Sequence, residues 1–247
     1  MGSHGDSHIG QLFDTCIKSR VVAVTQPATT AKPPHRPRVP DGAAPAMDGR
    51  QEQRMTDRPD PRVTRTARVL EQAIVELASQ RPVSQITVAE LAHRAGVTRA
   101  TVYNRYGSPL NLVIQVLDTD LQRGHRQEEQ RRATGGYTTT ENLRFAIGEV
   151  ADHITRFKAI YQLALHDPAD NGVYEALIRH FIDYSHVVLA RCTHPDLPDT
   201  NHQVIAQFVS HGFAGAIKAW LDDDSITKHD LVEAAVACTP TWWTSGT

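Results

Sequence analysis

From residue 61 onward, apolar positions return in steps of three and four, the period of helices with one buried face. Val63, Ala67, Leu70, Ile74 and Leu77 predict a first helix over Arg62–Gln80, closed by Pro82. Thr87 then reads as an N-cap, with Glu90 three residues on completing a capping box. Val88, Leu91, Ala92 and Ala95 share one face of the short helix that follows, and Gly96 stops it. Thr98 caps another short helix whose inner face is Val102 and Tyr106. Leu112, Val113, Val116, Leu117 and Leu121 predict a fourth helix, Leu110 to Gly124, inside a connecting segment 109–133.

Past a Gly/Thr-rich loop the same period resumes. It predicts a helix from Leu143 to His166 with a break near Thr155–Lys158, then helices over Val173–Cys192, Val204–Leu221 and Lys228–Cys238. Trp242 and Trp243 fall in an expected loose tail. The fold class is therefore all-α: a three-helix N-terminal unit over 61–108, a connecting helix, and a helical C-terminal domain over 140–243. Residues 1–60 are expected to be a disordered extension, because Pro27, Pro33, Pro34, Pro37, Pro40 and Pro45 prevent helix and little large apolar surface accompanies them. Met47 and Met55 are alternative starts nearer the folded part.

The spacing within Thr87–Tyr106 is the most informative feature. Ala92, Gly96 and Val102 stand at relative positions 0, 4 and 10. A helix-turn-helix needs a small residue where its helices cross, a glycine at the corner and an apolar lock on the second helix. Arg105 stands where an apolar residue is common, and Tyr106 is expected to fill that gap. With this geometry, Ile86 to Leu117, ITVAELAHRAGVTRATVYNRYGSPLNLVIQVL, closely resembles the DNA-binding domain of TetR-type transcriptional regulators. The resemblance reaches back through Arg62–Gln80 and covers roughly sixty residues. It implies that Thr98–Tyr106 is a recognition helix, that the molecule is an all-α homodimer, and that the C-terminal domain senses a ligand. The chain departs at Ser108-Pro109, where the family usually has Ser-Lys and the lysine grips a phosphate.

Composition sharpens this reading. The net charge of −2 alone argues against a nucleic-acid binder, but the charge is divided. From Arg58 to Ser108 eight arginines face four acids, a net +4, whereas Glu141 to the end carries seven basic and fourteen acidic residues, a net −7. A basic head on an acidic body suits docking on phosphate through one end. Arg62, Arg65 and Arg68 crowd the start of the first helix, where the helix dipole favours acids, as if a phosphate were to supply the negative charge. Cys16, Cys192 and Cys238 are far apart and form no zinc spacing, which suits free thiols in a reduced cytoplasm. The thirteen histidines are scattered, so core or surface roles are expected and no metal site or cofactor is. Ile9–Thr25 is interrupted by Asp14, Lys18 and Arg20, so neither a membrane span nor a secretory signal is expected. The sequence offers no Gly-rich phosphate loop, nucleophile elbow, HExxH or paired carboxylates, and an enzyme is not expected.

Helical geometry and the resemblance together assign the expected contacts with double-stranded operator DNA. Arg99, Ala100, Thr101 and Asn104 face base edges, and Thr87, Thr98, Tyr103, Arg105, Ser108 and Arg62 hold phosphates. Tyr103 as a packing aromatic and Arg105 as a plain surface charge are the competing readings. Phe208, Gly212, Gly215, Ala216, Ala219 and Trp220 form a small-residue face bracketed by aromatics, read as the homodimer interface against packing within one subunit. Phe145, Phe157, Tyr161, Tyr174, Phe181 and Tyr184 are the candidate lining for an unknown small-molecule effector, against ordinary core. The functional expectation is a homodimeric regulator, a repressor on a palindromic operator, released or engaged by that effector. Control by a protein partner and a helical dimerisation module without DNA are the alternatives.

Overall fold

The computed structural model describes residues 61–244; the expected N-terminal extension and the alternative starts at Met47 and Met55 lie outside them. Every regular element among the described residues is helical. Helices α1 (Pro61–Ala78), α2 (Val88–Ala95) and α3 (Arg99–Tyr106) form the head. α4 (Pro109–Thr134) leads into a body of α5 (Thr139–Arg156), α6 (Lys158–His166), α7 (Asn171–Arg191), α8 (His202–Asp222), α9 (Lys228–Cys238) and the short α10 (Thr241–Thr244). Two 3-10 turns, Val83–Gln85 and Pro168–Asp170, join α1 to α2 and α6 to α7.

The head closes around Leu70, Ile74, Leu91 and Val102, all fully buried. α1 packs on α2 and α4, and α2 packs on α3. Burial in α1 begins only at Leu70, so Val63, expected in the apolar stripe, is 46% exposed on a first turn that projects beyond the core. One apolar cluster continues from Leu70 through Leu112, Leu117, Ile154 and Tyr161 to Leu231. Head and body therefore share a core.

α4 has 26 residues and runs ten beyond Gly124, the end set by apolar spacing. A glycine there is not a stop. A Cβ added at Gly124 would meet Cβ of Glu149 at 3.3 Å, so the residue lets α4 and α5 cross closely. The second half of α4 is polar and loses the apolar period, yet it is anchored. Glu128, 2% exposed, pairs with Arg132 and accepts the Tyr184 hydroxyl at 3.1 Å. The Arg131 guanidinium lies 3.4 Å from the centre of the Tyr137 ring and 4.9 Å from that of Phe145.

The break expected near Thr155–Lys158 falls at Phe157, between α5 and α6. α5 opens on a complete capping box, Thr138 with Glu141. α7 and α8 pack together, joined by a buried Ser185–Ser210 hydroxyl contact at 3.1 Å and by Tyr174 donating to the Ala214 carbonyl at 2.6 Å. The expected loose tail is instead docked. Trp242 and Trp243 are each only 9% exposed and pack with Val188, Leu189 and Ala206. Two large indoles next to an apolar α7–α8 end bury enough area to hold a single turn of helix in place.

Candidate nucleic-acid interface

The corner between α2 and α3 follows from its local chemistry. Thr87 Oγ1 accepts the Glu90 N–H at 3.2 Å and caps α2. The reciprocal half of the expected capping box is absent, because the Glu90 carboxylate pairs with Arg81 instead. Gly96 ends α2 with φ +66 and ψ +34, and the Val97 N–H reaches the Ala92 carbonyl at 3.0 Å. Space does not demand glycine there, since an added Cβ would meet nothing within 4 Å; the positive φ does. Thr98 Oγ1 accepts the Thr101 N–H at 3.2 Å and starts α3 directly after the corner.

α3 has two sharply different faces. Val102 is fully buried and Tyr106 is 8% exposed, locking the helix onto the head. Arg99, Ala100, Tyr103, Asn104 and Arg105 are exposed, with Tyr103 at 58%, and Thr101 is half-buried. The Arg105 guanidinium lies 5.9 Å from the centre of the Tyr106 ring. At the start of α4, Ser108 Oγ accepts the Asn111 N–H at 3.1 Å, which leaves its own O–H to donate outward. Asn111 Nδ2 donates to the Tyr106 carbonyl at 3.1 Å, tying the end of α3 to α4.

The arginines of the head divide into two groups. Arg94 holds Glu76 through two nitrogens at 3.0 and 2.6 Å, and that contact lowers the Glu76 pKa; Arg81 holds Glu90. These pairs consume two of the head's acids. Arg62, Arg65, Arg68, Arg99 and Arg105 are exposed on α1 and α3. No ion pair among the described residues engages Arg65, Arg68 or Arg99. The positive excess is thus presented to solvent along α1 and α3.

The six aromatics expected to line a pocket each make specific packing contacts. Tyr161 and Phe157 pack around the His153 ring, Phe181 lies 5.0 Å from Phe213, and Tyr184 stacks on His125 at 4.2 Å. Tyr174 is held by Ala214 and Phe145 by Arg131. A cavity of about 10 Å³ between α4 and α5, lined by Asp120, Gly124, His125 and Glu149 among others, includes none of them. That is room for about one water molecule.

A polar network that the sequence does not announce links α4 to α5, α6 and α7. His180 Nδ1 is 2.8 Å from Asp118, and its Nε2 is 2.7 Å from Nε2 of His125. His153 bridges Asp120 at 2.9 Å and the Tyr161 hydroxyl at 2.8 Å. Burial pulls the pKa of His125 and of His153 down to about 3, and burial likewise pushes the Tyr161 and Tyr184 hydroxyls upward. The partners are 55 and 62 residues apart for His180, so no local spacing reveals them. Among the described residues no cluster of three or more metal-binding side chains has ligating geometry, and no helix is long and apolar enough to cross a membrane.

On α8, Phe208 (81% exposed), Gly212, Gly215 and Ala219 stand outward at steps of four, three and four. Val204, 63% exposed, continues this face, and neither glycine has an atom within 4 Å of an added Cβ. Ala216 and Trp220, expected on the same outer face, are half-buried and pack against the subunit's own core. The helical period explains the split, since they turn to the inner flank.

Two family models match this chain. Bacterial regulatory proteins of the tetR family align over residues 70–116, and a transcriptional regulator C-terminal region aligns over residues 141–236. No match was found among curated proteins. Among solved structures, the fatty acid degradation regulator FadR from Bacillus halodurans is similar at a TM-score of 0.53 and 14% identity, covering 73% of this chain and 95% of that one. Thermus thermophilus FadR, a TetR-family repressor in complex with lauroyl-CoA, is similar at 0.50 and 19%, covering 69% and 91%. These likenesses extend over head and body and carry the fold. With the glycine corner, the two-faced α3 and two family models spanning more than half of the 247 residues, the chain belongs to the TetR family of transcriptional regulators.

Proposed function

We propose that this regulator is a homodimeric repressor that places α3 of each subunit in the major groove of a palindromic operator. The observation that carries this reading is the division of α3: Val102 and Tyr106 fix one face while Arg99, Ala100 and Asn104 stand exposed on the other. Arg99 is suited to guanine O6/N7, Asn104 to adenine, and Ala100 and Thr101 to the thymine methyl. Thr87, Thr98, Tyr103, Arg105, Ser108 and Arg62 hold phosphates and set register. The Ser108 hydroxyl, capping only as an acceptor, substitutes in part for the lysine that follows it in the family. The outward Val204–Phe208–Gly212–Gly215–Ala219 face supports pairing of two α8 helices, since small residues admit close approach and an exposed phenylalanine calls for a cover.

Control by a small molecule in the body is the accompanying proposal. An occupant entering between α4 and α5, where the small cavity lies, would part the two helices and shift the one that leads into the head. Lauroyl-CoA, held by the Thermus thermophilus neighbour, is one probe to try. The deciding experiment is selection of bound duplexes from a random pool. It should return an inverted repeat, with half-sites about one helical turn apart or a multiple of it. Recovery of no enriched duplex, or of a single unrepeated half-site, contradicts the proposal.

A further inference from the structure

Asp170 makes an unusual choice of partner. It is 1% exposed and occupies the N-cap position of α7, where an aspartate normally accepts an N–H from its own helix. It forms no such bond. Its carboxylate instead accepts the Val83 N–H through Oδ2 and the Ser84 N–H through Oδ1 at 2.7 Å, in the turn between α1 and α2. Asp167, at the head of the same body turn, accepts the Ser84 hydroxyl at 3.1 Å. Next to it, a Cβ on Gly172 would meet Leu110 of α4 at 3.3 Å, so the start of α7 also sits tightly against the first turn of α4.

A buried carboxylate that serves the head rather than its own helix is a directional fastening. Charge-assisted bonds to backbone N–H groups are short and geometrically demanding. The head joins the body through the continuous α4 and the shared apolar core, and apolar packing fixes area more than direction. The apolar α1–α6 contact adds area but little direction. We propose that Asp170 is a positioning residue, fixing the angle of the head on the body and thereby the half-site spacing that a dimer accepts. This inference rests on the DNA-binding reading of α3. An effector that moves α6 or α7 acts on the same fastening.

The test uses the full chain as wild type, Asp170→Asn and Asp170→Ala. Asparagine keeps one acceptor but points an N–H at the second backbone donor, so it breaks half of the clamp at nearly constant shape. Selection from a random duplex pool should give one half-site spacing for wild type. The variants should give several spacings, with at most a fewfold difference in affinity between them and unchanged base preference within each half-site. A role limited to stability lowers the active fraction without changing spacing, so a single unchanged spacing in a folded variant overturns the proposal. Should Asp170→Ala fail to fold, Asp170→Asn decides. If wild type enriches no duplex, the regulator reading fails, and amide exchange decides the clamp. Val83 and Ser84 exchanging at least tenfold faster in Asp170→Asn, with α1 amides unchanged, supports it; equal rates overturn it.

Discussion

The Nε2 atoms of His125 and His180 stand 2.7 Å apart, with the two ring planes within 8° of parallel, so one imidazole donates directly to the other. Asp118 at His180 Nδ1 fixes the direction. A carboxylate only accepts, so His180 Nδ1 donates to Asp118 and His125 Nε2–H donates to His180 Nε2. This chain joins α4, which descends from the head, to α7.

The network makes stability fall in acid. His125 and His153 stay neutral in the fold, with pKa values near 3, while their unfolded counterparts titrate at about 6.5. Between those values the unfolded state binds more protons, so stability declines as pH drops from about 6.5 toward 3. The loss from pH 7 to pH 5.5 should be about 1 kcal/mol for each histidine. Urea unfolding at the two pH values measures it, and His125→Asn should flatten the dependence. A pH-independent midpoint in wild type contradicts the buried neutral pair.

Arg99→Ala should separate recognition from folding. The side chain is exposed, so the change in stability should stay within about 0.5 kcal/mol. Binding to the selected duplex should weaken by about 1–3 kcal/mol, with little change on unrelated duplexes. Equal losses on both sequences would move Arg99 to a phosphate.

Gly215→Leu tests the α8 face. Nothing lies within 4 Å of an added Cβ in the subunit, so the monomer fold should tolerate it, while a dimer seam would be wedged apart. Sedimentation should show a shift toward monomer and duplex affinity should fall. Phe208→Glu, at an 81% exposed site, should do the same. Dimers of unchanged stability in both variants would locate the interface elsewhere.

The head was largely legible because its signals are local: Thr87 and Thr98 as caps, Gly96 at the corner, Val102 and Tyr106 as the inner face. The break at Phe157 and the span of α9 were legible in the same way. Misreadings arose where distant partners decide. Gly124 stands inside α4 because Glu149 crosses it, and the Trp242–Trp243 tail docks because α7 and α8 leave an apolar end open. Glu90 completes no capping box because Arg81 competes for it. Of the aromatics at helical spacing, Tyr161 and Phe181 are buried in the core, while the histidine–carboxylate pairs and the Asp170 clamp rest on contacts across 33 to 87 residues that no periodicity encodes.

The most direct test of the central claim, that the exposed face of α3 and its arginines dock on duplex DNA, is the salt dependence of binding to a selected duplex. If about six phosphates are neutralised, log affinity against log salt should fall with a slope near −5, by the rule of ~0.9 per phosphate. A slope near zero, or no retention of any duplex at low salt, would contradict the account.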